Sequence, residues 1–452
     1  MILVLEHLAV VLGVFLVALS MILALQARRS PQSAAAWILF IIALPYVAVP
    51  LFLLLGFRKE RRGKTPLRMS ADAPASADPG DPAGMATLFH RLGAAPAQSG
   101  NRLDLHATPE AARVALETLV GNASARIDAL LYIVADDDSG RRFVEHLTER
   151  ARAGVKVRLG VDRLGSLCRP RAALHRLVEA GGEVRLLLPI LQLRKAGNLN
   201  LRNHRKLVIA DGTSVWAGGR NVGDDYLASP PGRWTDLSFT LTGPAVLAYA
   251  EVFASDWHVA GGQAVPLPAP CALAGASRVQ LVPAGPDEAH DVLHDGLVAA
   301  IQRADRRVWL ATPYFVPTEP LALALATAAR AGRDVRLCLP DKSNQPTADL
   351  ARGAYLREAA AAGVRIQRYL PGMMHAKAGL IDGYGWVGSA NFDVRSMLLN
   401  FETALMIYDA ETVAALEGWF LGLAPDCAEG LRPATRSRRL VEGIFRLGAP
   451  IL

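Results

Sequence analysis

Residues 200–226 read NLRNHRKLVIADGTSVWAGGRNVGDDY, and residues 375–402 read HAKAGLIDGYGWVGSANFDVRSMLLNFE. Each stretch holds a histidine, a lysine two residues on and an aspartate seven residues on. These are His204, Lys206 and Asp211 in the first, and His375, Lys377 and Asp382 in the second. Each then runs through a turn of small residues to an asparagine, as Gly218-Gly219-Arg220-Asn221 and Gly388-Ser389-Ala390-Asn391. With ten His, seven Lys and 25 Asp among 452 residues, chance supplies this HxKxxxxD spacing about 0.01 times per chain. Two copies, 171 residues apart, are an internal duplication, far too widely spaced for a solenoid repeat.

The surroundings of the two copies repeat as well. Apolar β-like runs at 127–134, 155–162 and 183–189 precede the first copy, and runs at 307–315, 334–340 and 364–369 precede the second. Amphipathic helical stretches fall between them, for instance 140–153 and 320–331. Strands alternating with helices predict an α/β fold with largely buried sheets, built twice.

Chemistry follows from the spacing. In a strand, residues i and i+2 face one side, so each histidine and its lysine project together. A neutral imidazole nitrogen can attack phosphorus while a lysine ammonium neutralises the phosphoryl oxygens. One half alone is a phosphate holder. Two halves face to face put a nucleophile on one side of a phosphodiester and a proton donor on the other. Asn221, Ser389 and Asn391 are the expected further donors to the phosphate. A histidine used this way needs its other nitrogen held by an orienting group. Asp236 lies 32 residues beyond His204 and Glu402 lies 27 beyond His375, so each motif has a candidate downstream of itself. No metal or cofactor is expected. The acidic run Asp136-Asp137-Asp138 reads as a solvated loop after a strand, and the four scattered cysteines form no metal-binding or disulfide pattern.

The front of the chain is of another kind. Leu8 to Leu25 is an uncharged apolar run of 18 residues, and Ala34 to Phe57 is a second of 24, broken only by Pro45 and Pro50. Both suit a membrane hairpin turning at Arg28 and Arg29. Glu6 in the leading segment and the lack of a small-residue cleavage site argue against a signal peptide. Arg58, Lys59, Arg61, Arg62 and Lys64 follow the second span and place both ends of the hairpin in the cytoplasm. The expected division is a membrane hairpin over 1–57 with spans at about 8–25 and 34–57, a basic segment and linker over 58–105, a first half over 106–265 and a second over 266–452.

Composition bounds the partners. The chain is 51% hydrophobic, which excludes a disordered or collagen-like protein, and carries a net charge of +7, which favours an anionic partner.

These residues resemble the phospholipase D superfamily, whose signature is a doubled HxKxxxxD followed by GG or GS and then Asn. Within it the chain is similar to the bacterial cardiolipin synthase family over nearly its whole length. That likeness includes LLYIVADDDSG, YFVPTEPL and the terminal LGAPIL. The resemblance implies two α-β-α sandwich halves about a pseudo-twofold axis, with one active site at their junction. It also implies metal-independent transfer of a phosphatidyl group between two phosphatidylglycerols at the bacterial inner membrane. By the same analogy His204 forms the phosphatidyl-histidine, His375 is the acid and base, and Asp211 and Asp382 serve structural ion pairs. Ser and Asn in PDKSNQPTADLARGAY (340–355) depart from many relatives and bear on the choice of donor or acceptor.

Other classes predict other features. A nuclease of this superfamily carries one motif per chain as a rule and has no use for a membrane hairpin, so nucleic acid is not the expected partner. A non-catalytic scaffold would have lost a His or Lys, and none is lost. A hydrolase releasing phosphatidic acid differs only in whether water or an alcohol resolves the intermediate. Oligomeric state leaves no mark in the sequence.

Overall fold

The computed structural model describes residues 2–26, 31–56, 84–188, 201–228, 234–288 and 290–447. Arg28 and Arg29, the basic cluster 58–64, most of the expected linker and the end of the LGAPIL terminus lie outside these residues.

The first half contributes seven strands: β1 (Gln98–His106), β2 (Arg126–Leu131), β3 (Lys156–Asp162), β4 (Glu183–Leu187), β5 (Leu207–Ala210), β6 (Ser214–Gly218) and β7 (Ser238–Thr242). The second contributes β8 (Ser277–Ala284), β9 (Arg307–Ala311), β10 (Phe315–Val316), β11 (Asp334–Pro340), β12 (Arg365–Tyr369), β13 (Ala378–Ile381), β14 (Tyr384–Gly388), β15 (Phe392–Asp393), β16 (Glu402–Ile407) and β17 (Cys427–Glu429). The first half runs β1-β7-β6-β5-β2-β3-β4, and the second runs β8-β16-β14-β13-β9-β11-β12-β17. The order is the same apart from the extra edge strand, as the duplication requires. In each half the parallel strands β2-β3-β4 or β9-β11-β12 are linked by helices, and the motif strand, β5 or β13, pairs antiparallel beside them. β5 (LVIA) and β13 (AGLI) are buried throughout, which their uniformly apolar sequences demand.

The halves meet edge to edge. β1 pairs antiparallel with β7 on one side and with β8 on the other, fusing both sheets into one of 15 strands. The sequence reading had put 98–105 in the linker. Its alternating, mostly half-buried residues gave too weak an apolar signal to stand out as a strand. Helix Met85–Leu92, read as linker too, packs Met85, Ala86 and Phe89 into the core of the second half.

The N-terminal region departs from two helices. It forms α1 (Ile2–Gln26), α2 (Pro31–Ala43) and α3 (Pro45–Leu55). Leu44, at φ −140° and ψ 63°, breaks the second expected span, because a residue preceding proline is pushed out of the helical region. The three helices pack on each other through Ala24, Ile41, Ala48, Val49 and Phe52. Among the described residues no helix is long and apolar enough to cross a membrane.

Candidate active site

His204 and Lys206 lie in the extended segment just before β5, and His375 and Lys377 lie just before β13. The motif residues therefore enter the strand from its end rather than sitting within it. Parallel bridges, Asn203 with Phe401 and Thr235 with Met374, tie each entry segment to the other half. The backbone N–H of His204 donates to Phe401 O at 2.9 Å, and that of His375 to Thr235 O at 2.7 Å. These exchanges obey a pseudo-twofold relation and bring both histidines to one open cleft of about 420 Å³.

The orienting carboxylates are Asp236 and Glu402, but crosswise. His204 Nδ1 lies 3.0 Å from both oxygens of Glu402, and His375 Nδ1 lies 2.6 Å from Asp236 Oδ2. Each histidine is thus held by the half that does not contain it, correcting the expectation that each would use the carboxylate downstream of its own motif. Asp236 lies in the segment leading into β7 and Glu402 opens β16, and each runs past the far half's entry segment. A carboxylate only accepts, so Nδ1 is the donor and Nε2 keeps its lone pair. Tyr132 meets the His204 ring edge-on at 4.7 Å, and Tyr226 and Trp234 pack on His375 at 5.2 and 4.9 Å.

Ser389 was expected on the phosphate and is found elsewhere. Its Oγ donates to Glu402 Oε2 at 2.5 Å and accepts from Thr403 N at 3.0 Å, so its hydrogen-bonding capacity goes to holding the carboxylate. The equivalent position in the first half is Gly219, where a Cβ would fall 2.1 Å from Asp236 Oδ1. The shorter aspartate needs no serine and leaves no room for one. Asn221 and Asn391 do line the cleft, buried, each with an amide oxygen that has no partner among the described residues. Turning either amide over exchanges its oxygen and nitrogen and offers N–H to a phosphate.

Asp211 and Asp382 stand apart from the reacting groups. Asp211 accepts from the backbone N–H of Ser124, Ala125 and Arg126, and Asp382 from that of Asp305, Arg306 and Arg307. Both sit at positive φ, 53° and 47°, in the turn closing the motif strand. Their partners are backbone N–H groups and, for Asp211, the Ser124 hydroxyl, rather than the ion pairs the resemblance implied, and they fix the turn against the start of β2 or β9.

Electrostatics favour neutral imidazoles in the cleft. Burial, offset only in part by Glu402, pushes His204 down to about 4. Burial and Lys377, against Asp236, push His375 down to about 3. Burial also lowers Lys206 to about 7 and Lys377 to about 8. For Asp236 burial acts upward, but Lys377 and His375 outweigh it and hold the carboxyl below its ordinary value. Each lysine donates to the carbonyl of its own histidine, Lys206 Nζ to His204 O at 2.6 Å and Lys377 Nζ to His375 O. They differ in what else they meet: Lys206 Nζ lies 5.3 Å over the Tyr132 ring, whereas Lys377 Nζ lies against the His375 ring, 2.7 Å from Nδ1 and 3.0 Å from Nε2.

Several cleft residues escaped the sequence reading. Tyr132, Arg202, Tyr226, Trp234, Tyr314, Arg395 and Ser396 line it. Their legible signal was proximity to a motif or to a strand's C-terminal end. Asn344, Gln345, Thr347 and Ala348 of the divergent 340–355 segment form one wall.

Two topologically identical halves joined at paired, cross-oriented histidines define a phospholipase D-like protein. The family profile described as "Cardiolipin synthase, PLD-like domain" matches residues 116–257 and 297–424, and the chain belongs to that family. Among its relatives, cardiolipin synthase A of Pseudomonas fluorescens SBW25 is 32% identical, over 97% of this chain and 96% of its own length. Cardiolipin synthase A of Pseudomonas aeruginosa PAO1 is 33% identical over 94% and 91%. The crystal structure of phosphatidylserine synthase from Haemophilus influenzae Rd KW20 shares the fold, with a TM-score of 0.60 at 15% identity, covering 77% of this chain and 95% of that one.

Proposed function

We propose that this chain is a cardiolipin synthase that moves a phosphatidyl group from one phosphatidylglycerol to another, giving cardiolipin and glycerol. The observation that carries the reading is the crossed pair of buried histidine–carboxylate contacts facing one cleft. His204 Nε2 attacks the phosphorus, and the bond from phosphorus to the glycerol oxygen breaks. His375 gives that oxygen its proton. A hydroxyl of the second phosphatidylglycerol then attacks the phosphatidyl-histidine, His375 takes its proton, and His204 is released. Lys377 supports this division of roles: its Nζ lies against the His375 ring, 2.7 Å from Nδ1 and 3.0 Å from Nε2, where it crowds a nucleophile and can supply a proton to an acid. An arriving phosphodiester anion raises the pKa of every cationic group around it, recovering charge on the lysines and on His375 when it is needed. Lys206, Asn221 and Asn391 steady the phosphoryl oxygens.

Residues 1–57 are the membrane anchor in this reading, with the catalytic halves on the cytoplasmic face of the inner membrane. The support is the apolar surface of α1–α3, on which Val10, Leu12, Val14, Phe15, Leu39 and Tyr46 stand exposed. The deciding measurement is lipid mass spectrometry after incubation with phosphatidylglycerol vesicles and EDTA. Cardiolipin plus glycerol is expected. Phosphatidic acid alone would make the protein a hydrolase, and turnover of DNA in its place would make it a nuclease.

A further inference from the structure

We propose that the C-terminal helix Arg436–Leu447 is an interfacial helix that seats the rim of the catalytic cleft on an anionic bilayer. Its sequence, RSRRLVEGIFRL, places Leu440, Val441 and Ile444 in one sector of the helix and Arg436, Arg439 and Arg446 in another. A helix lying on a protein body ordinarily turns its apolar stripe inward. Here the docked face is largely polar. Glu442 is buried, accepts from Arg438 Nε at 2.8 Å and pairs with Arg357. It fits against Gly353, where a Cβ would come within 2.3 Å of its carboxyl carbon. Arg446 forks onto Glu358 at 2.5 and 3.0 Å, and Phe445 packs with Val316, Ala351 and Tyr355. The apolar stripe is left outside, with Leu440 69% and Ile444 59% exposed. An outward apolar stripe edged by arginines is the pattern of helices that lie in a membrane interface.

Its place in the fold gives the contact a purpose. The supporting helix, Pro346–Ala361, begins at the cleft wall formed by Gln345, Thr347 and Ala348, and Val316 both lines the cleft and packs with Phe445. The loop after β3 also lines the cleft through Leu164, and exposes Leu164 and Leu167 between Arg163 and Arg169. Both halves therefore carry exposed leucines and arginines next to the cleft. A bilayer rich in anionic headgroups answers both the apolar stripe and the exposed Arg436 and Arg439. A second copy docked through the same stripe would bring like charges together.

The contact rests on the lipid-substrate reading only for its purpose, and two measurements on the full chain separate the two. The first places a nitroxide at Ile444→Cys, with Cys168→Ser removing the exposed native thiol, in vesicles containing phosphatidylglycerol. Relaxation by oxygen should exceed relaxation by a water-soluble nickel chelate. A label that stays open to the chelate overturns the proposal, as does spin–spin broadening, which would assign the stripe to a second copy. The second compares L440S/V441S/I444S with the parent chain. Turnover of vesicle-borne phosphatidylglycerol should fall about tenfold or more, while turnover of dispersed short-chain lipid stays within about twofold. Equal loss on both substrates overturns the proposal. If the parent turns over neither lipid, the reaction assignment fails and the nitroxide result still decides the contact.

Discussion

His204 and Glu402 belong to different halves, 198 residues apart, yet His204 Nδ1 lies 3.0 Å from both Glu402 oxygens. His375 and Asp236 repeat the relation across the pseudo-twofold axis at 2.6 Å. Neither half can orient its own histidine, so the active site exists only when both are docked. Arg205 strengthens the junction: from the first half it donates to Glu402 O and Ala284 O in the second, and its charge is met by Asp256 at 2.6 Å.

Crossed orientation predicts crossed defects. Glu402→Gln should impair His204 and suppress formation of the covalent lipid adduct, whereas Asp236→Asn should impair proton transfer by His375. Each should lower kcat by about 10⁴-fold, the scale of losing the tautomer-fixing partner of a catalytic imidazole. Rapid-quench detection of the adduct from a substrate with a good leaving group separates them, because that leaving group needs no proton from His375 and Asp236→Asn should still form the adduct. Adduct loss in Asp236→Asn with normal adduct in Glu402→Gln would reverse the histidine roles.

His204→Ala should abolish the adduct outright under phosphohistidine-preserving mass spectrometry. An unchanged adduct would move the nucleophile to His375.

The pH profile should be asymmetric. Both histidines are pushed far below their ordinary value, so the nucleophile is neutral at every pH above about 4 and the acid limb of kcat/KM falls near there. Lys206 and Lys377, pushed down to about 7 and 8, lose their charge as pH rises through that range, so kcat/KM should decline on the alkaline side. A profile flat to pH 10 would show that neither lysine charge is needed in the free enzyme.

The unequal turns should respond unequally. Ser389→Ala removes one donor to Glu402 and should reduce kcat about tenfold, the worth of a hydrogen bond to a charged group. Gly219→Ala forces Asp236 aside and should cost more than Ser389→Ala, with a lowered melting temperature. Equal, mild effects in the two variants would contradict the packing at Gly219.

Deleting residues 1–57 should convert carbonate-resistant membrane attachment into attachment that high salt removes, since screening weakens the remaining arginine contacts. Carbonate-resistant sedimentation of the shortened chain would rule out the N-terminal helices as the main anchor.

By itself the sequence determined the duplication, the two HxKxxxxD motifs and the α/β alternation, because these are local: a spacing, a side-chain chemistry, a periodicity. The break at Leu44 escaped the sequence reading, because Pro45 and Pro50 read as prolines tolerated within one span. Only the tertiary structure decided which carboxylate serves which histidine, because contacts across 139 and 198 residues depend on how the halves dock and leave no trace in local spacing. It likewise decided that β1 joins the halves, since its half-buried face carries too little apolar signal to mark a central strand. Ser389 serves Glu402 and not the cleft because a longer carboxylate leaves an acceptor within its reach. The C-terminal helix shows the same limit: its amphipathic period was fixed by sequence, but the burial of Glu442 beside Gly353 is what turned its apolar face outward.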